Sequence, residues 1–195
     1  MDGLTFDEVT HTYRWKGAVR PSVTQVLDRL HDFARVPVEV LATAQKRGSL
    51  VHLATQLYDE NDLVEGSIHD DYIGYLAAWK RFCAEHKPKW ECIERALYDE
   101  TLQIAGTPDR FGFIEYRGVE VFCQVDIKTS ATAHPVWGLQ TAAYNRLYKR
   151  PAAIRLTCQL GADGTYKLRE WADATDWPVF ASILNLTNWK NKHGI

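Results

Sequence analysis

The chain is short of the features that would place it quickly. Its four cysteines, Cys83, Cys92, Cys123 and Cys158, form no Cys-x-x-Cys pair, so neither a zinc motif nor a clustered iron–sulfur site is signalled. Neither sign of charge is in surplus. With 23 Lys and Arg against 25 Asp and Glu, the net charge is −2. No global basic field draws the chain to nucleic acid, and any such binding has to come from a local groove. No apolar run approaches the length of a membrane span. Met1-Asp2-Gly3 carries neither the basic start nor the apolar centre of a secretory leader. Repeats and low-complexity tracts are missing. The expectation is a cytoplasmic protein with reduced thiols and no membrane partner. At 195 residues and 46% hydrophobic content, there is enough for a single domain with a sizeable core.

What is present centres on Gly106-Thr107-Pro108-Asp109-Arg110 and Asp126-Ile127-Lys128-Thr129-Ser130. Phe111, Phe113 and Tyr116, then Arg117-Gly118, then Val119, Val121, Val125 and Ile127 read as two strands joined by a tight turn. Asp126 and Lys128 are two apart in an extended segment, so they leave the same face. The hairpin can also bring Asp109, seventeen residues earlier, beside Asp126. Two carboxylates and an ammonium suit metal-assisted phosphodiester hydrolysis. Hard divalent cations take oxygen ligands, and a lysine can orient water or offset charge on a phosphate. Asp-x-Lys is also common as a plain surface ion pair.

The chain around this hairpin reads in order as follows. Residues 4–15 form two short strands about Asp7-Glu8, Lys16-Gly17 turns, and Ser22 caps a helix over Val23 to Leu30. His11 and His31 have no partner at metal-ligand spacing. Residues 37–60 carry a long helical pattern, in which Gly48 marks a junction or a close approach. His52, flanked by Leu50, Val51 and Leu53, reads on its own as a packed histidine. Residues 69–87 form a helix with Tyr72, Ile73, Tyr75, Leu76, Trp79 and Phe82 as its apolar stripe. Residues 90–104 are extended. Glu94 lies among them, facing solvent or aimed into a site, and spacing favours solvent. Residues 137–149 make an amphipathic helix on which Gln140 and Tyr144 stack one turn apart. Arg146, Lys149 and Arg150 form its basic end, and Trp137 reads as core. Two strands follow around Asp163-Gly164, then a closing helix over Thr175 to Lys190 with Val179, Ile183, Leu184 and Leu186 inside. The fold class expected is α+β, a central mixed sheet flanked by helices with an N-terminal helical extension. Residues 1–35 are the hairpin and first helix, 36–89 a helical part and 90–195 the core.

With these blocks in order, the chain resembles the PD-(D/E)XK nuclease superfamily, in particular its RecB-type and lambda-exonuclease-like branch as carried by phages. Arg47-Gly48 with His52 resembles that branch's Arg-Gly…His helix. Gly106-Thr107-Pro108-Asp109 matches Gly-x-x-Asp, Asp126-Ile127-Lys128-Thr129 matches Asp-x-Lys-Thr, and Gln140 with Tyr144 matches Gln-x-x-x-Tyr. The resemblance spans about residues 40–160. It implies a restriction-endonuclease-like core and a DNA exonuclease of recombination or repair. Asp109, Asp126, His52 and the Ile127 carbonyl become metal ligands, Lys128 the residue that positions water, and Glu94 a further catalytic carboxylate. Arg47, Arg110 and Arg146 become phosphate contacts, and Gln140 and Tyr144 hold the DNA backbone. The implied cofactor is Mg2+ or Mn2+, with no iron–sulfur cluster, since the cysteine pattern of cluster-bearing members is missing. The implied partners are DNA ends and a single-strand annealing or binding protein. The rivals are an endonuclease on the same core, a DNA-end-binding protein or nuclease inhibitor without activity, and a plain structural domain.

Overall fold

The computed structural model describes residues 3–8, 10–30, 36–148 and 150–194. His31 and Lys149 lie outside them. The chain opens on a three-stranded antiparallel sheet, β1 (Leu4–Asp7), β2 (Thr12–Trp15) and β3 (Ala18–Arg20). The turn between β2 and β3 falls on Lys16 and Gly17, both at positive φ. The extension is therefore sheet before it is helix. Ser22 then starts α1 (Val23–Leu27) with a capping box: its hydroxyl accepts from the Gln25 backbone N–H, while the Gln25 side chain accepts from the Ser22 N–H.

Two long helices follow, α2 (Val38–Asp59) and α3 (Asp70–His86). Gly48 does not interrupt α2, and a Cβ there would meet nothing within 4 Å. The expected junction is absent. Helix α3 begins with Asp70 and Asp71 in its first turn, where the helix dipole favours acids, and ends on Lys87 in the left-handed region. Its inner face is Tyr75, Leu76, Trp79 and Phe82, whereas Ile73 is half exposed.

The central sheet runs in the order β10 (Tyr166–Glu170), β9 (Ile154–Leu160), β8 (Val119–Lys128), β7 (Arg110–Tyr116) and β4 (Lys89–Ile93). All its pairs are antiparallel except β8 with β9, which the crossover helix α4 (Val136–Leu147) connects. The sheet is therefore mixed and the fold α+β. Strands β5 (Leu97–Asp99) and β6 (Ile104–Gly106) pair with each other outside this sheet, and Leu102 lies in the turn between them.

Alternation along β8 sorts the core. Cys123, Val125 and Ile127 enter an apolar layer with Ile114, Leu156 and Cys158 under Trp79 and Phe82 of α3. Lys128, of the opposite parity, meets Gln140 of α4. The closing helix α5 (Asp176–His193) buries Phe180 and Leu184 against α1 and α4. Val179 and Leu186, expected inside, are about half exposed. The face that packs runs through Phe180, Leu184 and Thr187, and Val179 and Leu186 lie one residue, about 100°, round the helix from it.

Candidate metal centre

Three strand ends meet at one end of the sheet: the end of β4, the start of β7 and the end of β8. Ile93 pairs with Arg110, and Arg110 with Val125. Just beyond these pairs stand Glu94, Asp109 and Asp126. Helix α2 brings a fourth group, since Val51 anchors it in the apolar layer under α3 and the next residue is His52. His52, Glu94 and Asp109 each offer one ligand atom, all within 4.8 Å of one another.

Glu94 reaches this position through a backbone device. A bulge in β4 between Trp90 and Cys92 breaks strict alternation, so Trp90 packs toward α3 while Cys92 packs with Phe111 and Phe122. Gly112 lies opposite the bulge. A Cβ there would come within 2.3 Å of the Lys89 carbonyl oxygen, so the irregularity requires glycine. Glu94 itself has φ 40°, a left-handed conformation that costs a non-glycine residue about 1–3 kcal/mol. Its N–H donates to the Asp109 carbonyl, fixing the turn. The solvent-facing expectation fails here, because the bulge and the left-handed turn re-aim the side chain.

His52 lies between acceptors. Its Nδ1 donates to Glu94 Oε1 at 3.1 Å and stands 3.5 Å from Asp109 Oδ1. Its Nε2 donates to the Ile127 carbonyl at 3.1 Å. Carboxylate and carbonyl only accept, so the ring carries both protons as an imidazolium. Burial alone would lower its pKa. The Asp109 and Glu94 carboxylates outweigh that and lift it to about 9. Asp109 is buried; its Oδ2 accepts the Ile127 N–H at 2.5 Å. Burial pushes its carboxyl upward, with His52 pulling the other way.

Asp126 is 1% exposed. Its Oδ1 has no partner among the described residues. Lys128 Nζ is 2.6 Å from Asp126 Oδ2, a close ion pair. Burial raises the Asp126 carboxyl to about 6, against the pull of Lys128. Lys128 also donates to Gln140 Oε1 at 2.9 Å and lies 5.8 Å from the centre of the Trp137 ring. Tyr144, buried, receives the Gln140 amide at 3.5 Å. It packs so closely on Gly106 that a Cβ there would come within 2.7 Å of its ring. Gln140 therefore holds Lys128, and Tyr144 braces the site from inside the core.

The three arginines part company. Arg47 is half-buried at the rim, its Nε 3.5 Å from Thr129 Oγ1. Arg110 is fully buried. It donates through Nε to Asp59 Oδ2 at 2.7 Å, through Nη1 to Glu94 Oε1 at 3.2 Å and to the Asp109 carbonyl, and through Nη2 to Thr55 Oγ1. That leaves no open face for a phosphate and corrects the expected contact. Arg146 lies over the Trp177 ring at 5.7 Å and lines a groove with Trp15, Tyr98 and Arg155, none of them part of the acidic cluster. Its expected place beside the hairpin is corrected too, because it sits on a different face of α4 from Gln140.

Asp59 and Thr55 went unnoticed in the sequence. The signal was there: His52, Thr55 and Asp59 are spaced i, i+3 and i+7, one face of one helix.

No family model matches the chain, and no curated protein matches it. Among solved structures, the crystal structure of SSO0001 resembles it with a TM-score of 0.36 and 15% identity, covering 84% of this chain and 81% of that one. A likeness of this size carries neither fold nor function. Among the described residues, no helix is long and apolar enough to cross a membrane.

Proposed function

We propose that the chain is a divalent-cation-dependent nuclease that hydrolyses DNA phosphodiesters from ends. One observation carries the reading: His52, Glu94 and Asp109 converge near a buried Asp126 whose Oδ1 has no partner among the described residues. Lys128 neutralises Asp126 Oδ2 at 2.6 Å, and the buried Oδ1 left over is costly unless a cation satisfies it. The donor set fits Mg2+ or Mn2+, with the single imidazole favouring Mn2+. Asp109 has one oxygen committed to the Ile127 N–H and offers Oδ1. Asp126 offers Oδ1, Glu94 offers Oε2, and His52 offers a ring nitrogen once it has lost a proton. The Ile127 carbonyl, now receiving His52, completes the set.

When bound, such a cation polarises the scissile phosphate and lowers the pKa of coordinated water. The chain supplies the rest. Lys128, held between Asp126 and Gln140, presents an ammonium where the attacking water and a phosphate oxygen would meet, and it stabilises the charge that develops there. The Trp137 ring walls off one side of that ammonium. Arg47, at the rim, has the planar fork of donors that suits a backbone phosphate.

The test is digestion of linear duplex and linear single strand, labelled at either end, beside a covalently closed circle, with Mg2+ or Mn2+. Loss of the linear forms alone is expected, and the first label released reports the polarity. Nicking of the circle would make the chain an endonuclease. DNA bound but never cut would make it an end-binding protein, and neither cutting nor binding would remove the reading. A single-strand annealing protein as partner belongs to the same proposal and follows only if linear ends are the substrate.

A further inference from the structure

Resting on the cation-dependent reading, we infer that Arg110 and Asp59 form a positioning device that aims the Glu94 carboxylate into the cation site. Arg110 follows directly after Asp109, yet its guanidinium turns away from the cleft into the interior. All three of its nitrogens are engaged: Nε with Asp59, Nη1 with Glu94 and the Asp109 carbonyl, Nη2 with Thr55. Its plane lies 5.5 Å from the centre of the Trp79 ring, and Trp79 Nε1 donates to the other Asp59 oxygen at 3.1 Å. The Arg110 and Asp59 side chains are 0% and 3% exposed. A buried, bidentate-capable guanidinium has its orientation set by its partners.

What this orientation fixes is Glu94. That residue follows a strand bulge and stands at φ 40°, so its backbone alone does not hold the side chain over the site. Arg110 Nη1 and His52 Nδ1 both bind Oε1, leaving Oε2, which has no hydrogen bond among the described residues. Helix α2 contributes His52, Thr55 and Asp59 from one face. The same helix therefore delivers a ligand and sets the angle of another. Partners that orient ligands typically tune metal affinity.

Mn2+ binding tests this, followed by calorimetry and by electron paramagnetic resonance, with circular dichroism to check folding. The proteins are wild type, Arg110→Lys, Asp59→Asn, the milder Thr55→Val, and Arg110→Lys combined with Glu94→Gln. Arg110→Lys and Asp59→Asn should each weaken Mn2+ binding by about 10- to 100-fold. With Glu94→Gln already in place, Arg110→Lys should change affinity by less than about twofold, because coupled groups do not add. Thr55→Val, which keeps both charges and removes only the Nη2 acceptor, should weaken binding in the same direction but less, and it carries the test where the larger changes unfold the chain. Equal losses with and without the Glu94 carboxylate would overturn the inference, as would folded variants that bind like wild type. Loss of DNA affinity in EDTA with Mn2+ affinity unchanged would make Arg110 a phosphate contact after all. Failure of wild type to take up Mn2+ would instead remove the cation reading, and this inference with it.

Discussion

The two faces of β8 are built from alternate residues of one strand and behave oppositely. Cys123, Val125 and Ile127 face α3 in a dry layer with Trp79, Phe82, Leu156 and Cys158. Gln124, Asp126 and Lys128 face the other way, toward α4. There the Gln124 amide and Asp126 Oδ1 are buried with no partner among the described residues, and Lys128 is ion-paired to Asp126 Oδ2. One face gains stability by removing apolar surface from water. The other gives stability up to keep charges close and partly unsatisfied, as sites that do chemistry commonly do. Parity in a strand is enough to set the core and the chemistry side by side.

The largest effect should come from the dry face. Phe82→Ala removes a fully buried ring that stacks on Trp79 at 4.8 Å and should lower unfolding free energy by about 3–5 kcal/mol in urea titration. A loss near zero would show that this face is not the stabilising one. The charged face should respond with the opposite sign. In EDTA at pH 8, Asp126→Asn removes a buried carboxylate whose pKa is raised to about 6 and should stabilise the fold by about 1–3 kcal/mol. Destabilisation instead would mean that Asp126 is a structural partner of Lys128.

The pH dependence sharpens the same contrast. Asp126 holds its proton more tightly folded than unfolded, so cation-free stability should fall as pH rises from about 4 to 6. His52, raised to about 9, contributes stability fully below pH 6.5 and loses it as pH climbs through 9. The urea midpoint in EDTA should therefore drop in two stages, the second missing in His52→Gln. Mn2+ affinity should rise over that second window, because the imidazolium must lose a proton to coordinate. A flat profile would contradict the placement of these charges. The smallest expected effect is none. Burial pushes the Cys123 thiol up to about 12 and raises the thiols of Cys83, Cys92 and Cys158. Iodoacetamide should therefore leave the native protein unmodified, and rapid labelling of Cys123 or Cys158 would show that the dry face opens.

How much of this was legible in the sequence depends on which residues are asked about. The hairpin of β7 and β8, its turn at Arg117-Gly118 and the shared face of Asp126 and Lys128 follow from local rules of period and turn chemistry. The capping box at Ser22 does as well. Glu94 did not, because a bulge is a backbone event that alternation does not reveal, and the glycine that permits it sits on the partner strand at 112. Arg110 did not either. An arginine following an acidic ligand reads as a surface cation until Asp59, 51 residues earlier, turns out to be buried beside it. Val179 and Leu186 read as core from apolarity alone, but the packed face of α5 runs through Phe180, Leu184 and Thr187, about 100° round the helix from them. What stayed hidden was long-range packing that redirects a side chain which local sequence had already aimed elsewhere.

The account depends most on the division of labour between ligands and Lys128. The direct measurement is Mn2+ binding and cleavage of end-labelled linear duplex by Lys128→Ala, side by side with wild type. The account predicts that Mn2+ still binds while cleavage falls by about 10²- to 10⁴-fold. Cleavage at the wild-type rate with Mn2+ bound would contradict it.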